Sequence, residues 1–112
     1  MTLLAENDAI AALAALAQAT RLRLFRTLVA AGSEGRVVGE LAEAVAAAPA
    51  TLSFHLKALT QAGLIRAQNE GRFIRYRVDV AAMNALLAYL SENCCGGAAC
   101  GLIAPHCVPP LS

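Results

Sequence analysis

Apolar positions recur at helical spacing through the first half of the chain. They alternate with polar ones around residues 64–78 and return to helical spacing near residue 81. In an alanine-rich stretch, Ile10, Leu13 and Leu16 mark a first helix over about residues 8–18 with a single apolar stripe. Leu22, Phe25, Leu28 and Val29 mark a second helix over residues 19–31, with Gly32 where helices commonly stop. Residues 32–35 (Gly-Ser-Glu-Gly) form a turn, and Val38, Leu41, Ala42 and Val45 then give a short third helix ending in Ala46-Ala47-Ala48. Pro49 fits the first position of a fourth helix, where its missing N–H costs nothing, and Leu52, Leu56 and Leu59 form one face of that helix up to Gly63.

Beyond Gly63 the pattern predicts a β-hairpin. One strand covers residues 64–68, a turn falls at Asn69-Glu70-Gly71, and a second strand covers residues 72–78, where Ile74, Tyr76 and Val78 alternate with Phe73, Arg75 and Arg77. A last helix over residues 81–92 carries Met83, Leu86, Leu87 and Leu90, and the Gly-, Pro- and Cys-rich remainder has no periodicity. The sequence thus predicts a mostly α protein with a β-hairpin, a helix-turn-helix followed by a wing. Two parts are expected: residues 1–92 for DNA binding and dimerisation, and a cysteine-containing tail over residues 93–112 that forms a ligand site. The first and last helices each keep an apolar stripe outside the helix-turn-helix core, and a second copy of the chain is the simplest cover for both, so a homodimer is expected.

A length of 112 residues suits one compact unit and excludes most large catalytic architectures. Although 58% of the residues are hydrophobic, alanine supplies much of that share, and the charge-free run over residues 9–20 is too short to span a bilayer. The first eight residues carry Glu6 and Asp8 and lack a basic region before an apolar core, so no signal peptide is expected and the cytoplasm is the expected location. A net charge of +1 creates no global field toward nucleic acid or lipid; any attraction must be local.

A local concentration of charge exists. Between residues 50 and 78, Lys57, Arg66, Arg72, Arg75 and Arg77 face only Glu70, a net +4. Basic side chains flanking a groove-reading helix supply phosphate contacts, whereas arginines on an exposed strand also discourage edge-to-edge aggregation; beside a helix-turn-helix the first reading is favoured. Arg21, Arg23 and Arg26 form a second basic group that serves equally as helix solvation. Projected at 100° per residue, the fourth helix puts Leu52, Leu56 and Leu59 on its buried side and Ala50, Ser53, Phe54, Lys57 and Gln61 on the other. Phe54 on that polar face has two readings of equal weight: apolar contact with thymine methyls in a major groove, or packing against the wing or third helix. His55, on the margin of the buried face, reads as a hydrogen-bonded structural residue before a ligand or sensor.

Several stretches together resemble the ArsR/SmtB family of metal-sensing repressors. They are Ala17-Gln18-Ala19-Thr20-Arg21-Leu22-Arg23-Leu24-Phe25, Leu41-Ala42-Glu43-Ala44, Thr51-Leu52-Ser53-Phe54-His55-Leu56-Lys57-Ala58-Leu59, Ala62-Gly63-Leu64-Ile65 and Glu70-Gly71-Arg72-Phe73-Ile74-Arg75-Tyr76. The resemblance covers roughly residues 8–92. It implies a homodimeric winged-helix repressor that holds a palindromic operator when free of ligand and releases it when ligand binds. It also implies that Ala50, Thr51, Ser53 and Phe54 read the operator, with Lys57 near phosphate and Arg72 and Arg75 on the wing. Two departures narrow the ligand. The Cys-x-Cys pair that many arsenic, cadmium and lead sensors of the family carry at the start of the third helix is replaced by Val37 and Gly39. The Asp and His ligands that its zinc and nickel sensors place on the last helix have no counterpart in residues 81–92.

Cys94, Cys95, Cys100 and Cys107 all lie in the last 19 residues, the first three directly after the last helix, as in a branch of arsenic repressors whose three-cysteine site sits near the C-terminal end. Two adjacent thiols and a third five residues on, joined through Gly96-Gly97, can wrap one soft ion, and thiolates select against hard cations. Trivalent arsenic, as arsenite or an organic arsenical, takes sulfurs in a pyramid, so Cys94, Cys95 and Cys100 complete its shell. Zinc prefers four tetrahedral ligands and would need His106 or Cys107 as well. The expected function is therefore an arsenite-responsive repressor that binds inverted-repeat operator DNA, with zinc, cadmium or thiol-redox sensing on the same fold as the alternative. Cys107 is a further candidate ligand. There is no Cys-x-x-Cys on a βαβ pattern and no anion cradle, so neither an enzyme nor a catalytic cofactor is expected.

Overall fold

The computed structural model describes residues 4–92. Its elements run α1 (Glu6–Leu16), α2 (Ala19–Ala31), a 3-10 turn (Gly32–Glu34), β1 (Arg36–Val37), α3 (Val38–Val45), α4 (Pro49–Gln61), β2 (Ile65–Glu70), β3 (Phe73–Val78) and α5 (Val80–Leu90). Among the described residues no helix is long and apolar enough to cross a membrane.

The core forms where the helical stripes converge. Leu24 and Leu28 of α2, Leu41 of α3, Leu52, Leu56 and Leu59 of α4, and Leu64 and Ile65 at the start of the hairpin are almost completely buried. Fully burying one such leucine stabilises the fold by roughly 1.5–3 kcal/mol, so this cluster is what locks α4 in place. Local chemistry sets the helix starts. Gln18 Oε1 accepts from the Arg21 backbone N at 2.9 Å, Glu40 Oε1 from the Val37 backbone N at 3.0 Å, and Asp79 Oδ1 from the Ala82 backbone N at 3.0 Å. Each satisfies a donor that has no partner within the helix. Pro49 stands at the first turn of α4. The α3–α4 turn bends through Ala46, which takes a left-handed conformation with φ 52°, unfavourable for a residue with a Cβ.

The sheet corrects the expected hairpin in two ways. The turn is tighter than residues 69–71: Glu70 stays in β2 paired with Phe73, so only Gly71 and Arg72 connect the strands. Gly71, at φ 65°, supplies the left-handed position that such a short connection requires. A third strand, β1, also joins the sheet in the order β1-β3-β2, with Arg36 opposite Tyr76 and Val37 opposite Arg75. Two residues carry no readable alternation. What permits this strand is Gly35, at φ 61°, where a Cβ would overlap the Tyr76 carbonyl oxygen. The wing is therefore stitched to the segment before α3.

α1 packs on the core through Ala9, Ala12 and Ala15. Three small side chains at successive turns let the helix approach closely, and they leave the larger stripe outside: Ile10 is 55% and Leu13 41% exposed. On α5, Leu86 faces inward while Leu87 and Leu90 are about half exposed (49% and 54%). The two helices touch each other, yet Ile10 and Leu13 of α1 and Leu87 and Leu90 of α5 stay uncovered in a single chain.

Candidate nucleic-acid interface

Burial of Leu52, Leu56 and Leu59 dictates which way the opposite side of α4 points. Ala50, Ser53, Phe54, Lys57 and Gln61 are all exposed, as the helical projection expects, and Thr51 joins them. Lys57 has no hydrogen-bond or ion-pair partner among the described residues, and its ammonium group is free to meet an anion. A helix that is apolar toward its own domain and presents short polar groups, one phenyl ring and one lysine outward has dimensions and chemistry that fit a major groove.

Phe54 is 63% exposed, so neither the wing nor α3 covers it. Its ring instead meets two polar neighbours. The His55 imidazole lies edge-on, with centroids 5.4 Å apart at 66°, and the Arg21 guanidinium carbon sits 5.5 Å from the phenyl centroid. Arg21 Nε in turn donates to His55 Nδ1 at 3.1 Å. The acceptor role of Nδ1 puts the proton of the neutral ring on Nε2. His55 is only 7% exposed, deeper than the margin position expected of it, and burial lowers its pKa from 6.5, with the Arg21 charge adding in the same direction. It is a structural histidine that spans α2 and α4.

The basic residues of the wing divide into two kinds. Arg72 stands at the exposed hairpin tip without a partner among the described residues, free for phosphate. Arg75 is engaged: its Nε donates to both Glu70 carboxylate oxygens at 3.0 Å, and its terminal nitrogen donates to the Glu34 carbonyl, also at 3.0 Å. Arg77 donates from Nε to the Ser33 carbonyl at 2.8 Å and from a terminal nitrogen to Gln68, and it lies 4.0 Å from Glu70. Arg75 thus braces the wing against the loop before β1, and Glu70, the one acid of this region, is spent on that brace. The sequence showed the +4 concentration; which charges remain free required the fold.

Cys94, Cys95, Cys100 and Cys107, expected to form the ligand site, lie outside the described residues. Among the described residues no three His, Cys, Asp or Glu side chains stand together to hold a metal ion. Val37 and Gly39, where the resemblance would look for thiols, sit at the β1–α3 junction and offer none.

The chain matches the family model of a helix-turn-helix domain over residues 16–68, a span running from the end of α1 into β2. No curated protein matches it. Among solved structures, a possible transcriptional regulatory protein from Mycobacterium bovis is 30% identical, over 77% of this chain and 92% of its own, with a TM-score of 0.58. The homodimeric winged helix-turn-helix DNA-binding domain of a possible ArsR-family regulator, also from Mycobacterium bovis, is 28% identical over 88% of this chain and 96% of its own, at 0.61. An ArsR-like transcriptional regulator from Rhodococcus sp. RHA1 is 28% identical over 76% and 77%, at 0.66. With its helix-turn-helix, its wing and these neighbours, the chain belongs to the ArsR family of DNA-binding transcriptional regulators.

Proposed function

We propose that the protein is a cytoplasmic homodimeric repressor that holds an inverted-repeat operator through α4 and the wing and releases it when trivalent arsenic binds Cys94, Cys95 and Cys100. The observation that carries the DNA half is the exposed face of α4: Ala50, Thr51, Ser53 and Phe54 point away from the core and would read base edges, with Lys57 beside them and Arg72 on the wing for phosphate, and Arg75 holding the wing in place. The outward stripe of Ile10, Leu13, Leu87 and Leu90 supports the dimer, and the Mycobacterium bovis neighbour described as homodimeric agrees with it.

Support for arsenic comes from the donor set. Three thiols within seven residues follow α5, and the positions at Val37 and Gly39 lack sulfur. Arsenite would exchange its hydroxyls for three cysteine sulfurs with loss of water and no change of oxidation state. Because these cysteines follow a helix of the expected dimer interface, gathering them would alter how α5 packs on its partner. That changes the separation of the two α4 helices, which must match half-sites about one helical turn apart. Such linkage is typically worth about 1–3 kcal/mol, a 5- to 150-fold change in affinity. Cys107 and His106 could complete a zinc or cadmium site instead.

The test is fluorescence anisotropy of reduced protein on an inverted-repeat duplex from its own promoter, titrated with arsenite and separately with zinc. Release by arsenite alone, abolished in Cys94→Ser, is the expected result. Release by zinc alone would favour the four-ligand alternative, and binding untouched by either ion would move the signal to thiol oxidation.

A further inference from the structure

The α4 face is joined by a residue from another helix. Arg21 lies in the first turn of α2, 34 positions from His55, and the fold brings its guanidinium against both ring side chains at the exposed middle of α4. Resting on the reading of α4 as the groove-reading helix, we propose that Arg21 belongs to the DNA interface. It contacts a backbone phosphate through its terminal nitrogens and positions the Phe54 ring as an apolar probe for a thymine methyl.

Three features of the geometry support this assignment. The guanidinium is pinned at one end only: Nε is bonded to a buried imidazole that cannot move without disturbing the core, while neither terminal nitrogen has a partner among the described residues. Those nitrogens are the fork that recognises phosphate oxygens, presented here by a side chain whose rotamer is already fixed, so little entropy remains to be lost on binding. The cation also lies over a phenyl ring within the roughly 6 Å at which such pairs attract, which orients a ring that is otherwise mostly in solvent. Finally, Phe54 follows Ser53 and lies one turn before Lys57 on the exposed side of α4, so Arg21 stands beside the residues that would read the operator.

The experiment compares wild type, Arg21→Lys, Arg21→Ala and Lys57→Ala by anisotropy on the promoter inverted repeat over a range of salt, and on the same duplex with its thymines replaced singly by uracil. Circular dichroism melting confirms folding of each variant. Arg21→Ala is expected to weaken binding about tenfold or more and to lower the salt slope by about two for the dimer. Arg21→Lys keeps the charge and hence the slope, but loses the planar contact over Phe54. The uracil substitution that costs wild type several-fold should therefore cost this variant little. Unchanged affinity in Arg21→Ala, with Lys57→Ala weakened, would overturn the role of Arg21 and leave the operator reading standing. An Arg21→Lys variant with undiminished thymine preference would overturn the positioning of Phe54. Salt-insensitive or absent binding by wild type would overturn the operator reading and this inference together.

Discussion

Replacing Lys57 by alanine isolates the electrostatic part of the proposed interface. The ammonium group is exposed and unpaired among the described residues, so its removal should change the folding free energy by no more than an ordinary surface substitution, about 0.5 kcal/mol. Counting only the cations assigned to the operator face, each protomer offers Lys57 and Arg72, with Arg21, free at its terminal nitrogens, as the third; Arg66 on β2 and the outer arginines of α2 are exposed but not assigned to that face, and Arg75 and Arg77 are discounted because Glu70 and backbone carbonyls hold them. Six phosphate contacts per dimer predict a slope of log affinity against log salt of about −5, an affinity loss near 10³ between about 50 and 200 mM. Lys57→Ala removes two of these and should bring the slope to about −3.5. Arg75→Ala should behave in the opposite sense, losing stability as the wing is released from Glu70 and the Glu34 carbonyl while changing the slope less. Anisotropy titrations at four salt concentrations, paired with thermal melts, measure both quantities. If Arg75→Ala flattened the slope while Lys57→Ala left it at the wild-type value, the division into free and committed charges would be refuted.

Three further outcomes are expected. Leu13→Glu combined with Leu87→Glu places charges in the outward stripe and should shift the protein from dimer to monomer in sedimentation velocity while its circular dichroism is retained; a persistent dimer would place the interface elsewhere. Ala46→Gly relieves a left-handed residue that costs roughly 1–2 kcal/mol, partly offset by the greater backbone entropy of glycine, so the midpoint of thermal unfolding should rise by a few degrees. A lower midpoint would mean that the turn is not strained. The His55 pKa is lowered in the folded state by burial and by Arg21, so below pH 6.5 the unfolded chain binds the proton first. This group's contribution is intact above pH 6.5 and is lost as pH falls from there toward the lowered folded value; urea unfolding of wild type should show that decline, and His55→Gln should flatten it.

The helices and the inward face of α4 were legible in the sequence because a helix face is a local property. Leu52, Leu56 and Leu59 recur at a spacing that has one helical solution, and their burial turns Ala50, Ser53, Phe54 and Lys57 outward without further information. The basic concentration between residues 50 and 78 and the cysteines after the last helix are likewise properties of composition along the chain. Where sequence reasoning fell short, the deciding partner lay far away. β1 is two residues long and exists because β3 accepts it and Gly35 lets the backbones approach. Glu70 read as a turn residue, yet it stays in β2 with its carboxylate clasping Arg75.

α1 carries two contact faces; periodicity marked the bulky one, expected outside the core, and gave no sign of the alanine face that seats the helix. Packing buried the alanines, because a helix laid close against a filled core has room only for small side chains, and this left Ile10 and Leu13 for another surface. Arg21, in a basic cluster that resembled plain helix solvation, reached the α4 face through a buried histidine 34 residues away. Periodicity and charge thus determined which segments are helices, where the wing falls and which helix faces outward, since each depends on residues a few positions apart. Which charges are free, which small residues seat α1 on the core and which helices share the reading surface depend on contacts between distant segments, and the tertiary structure alone decided them.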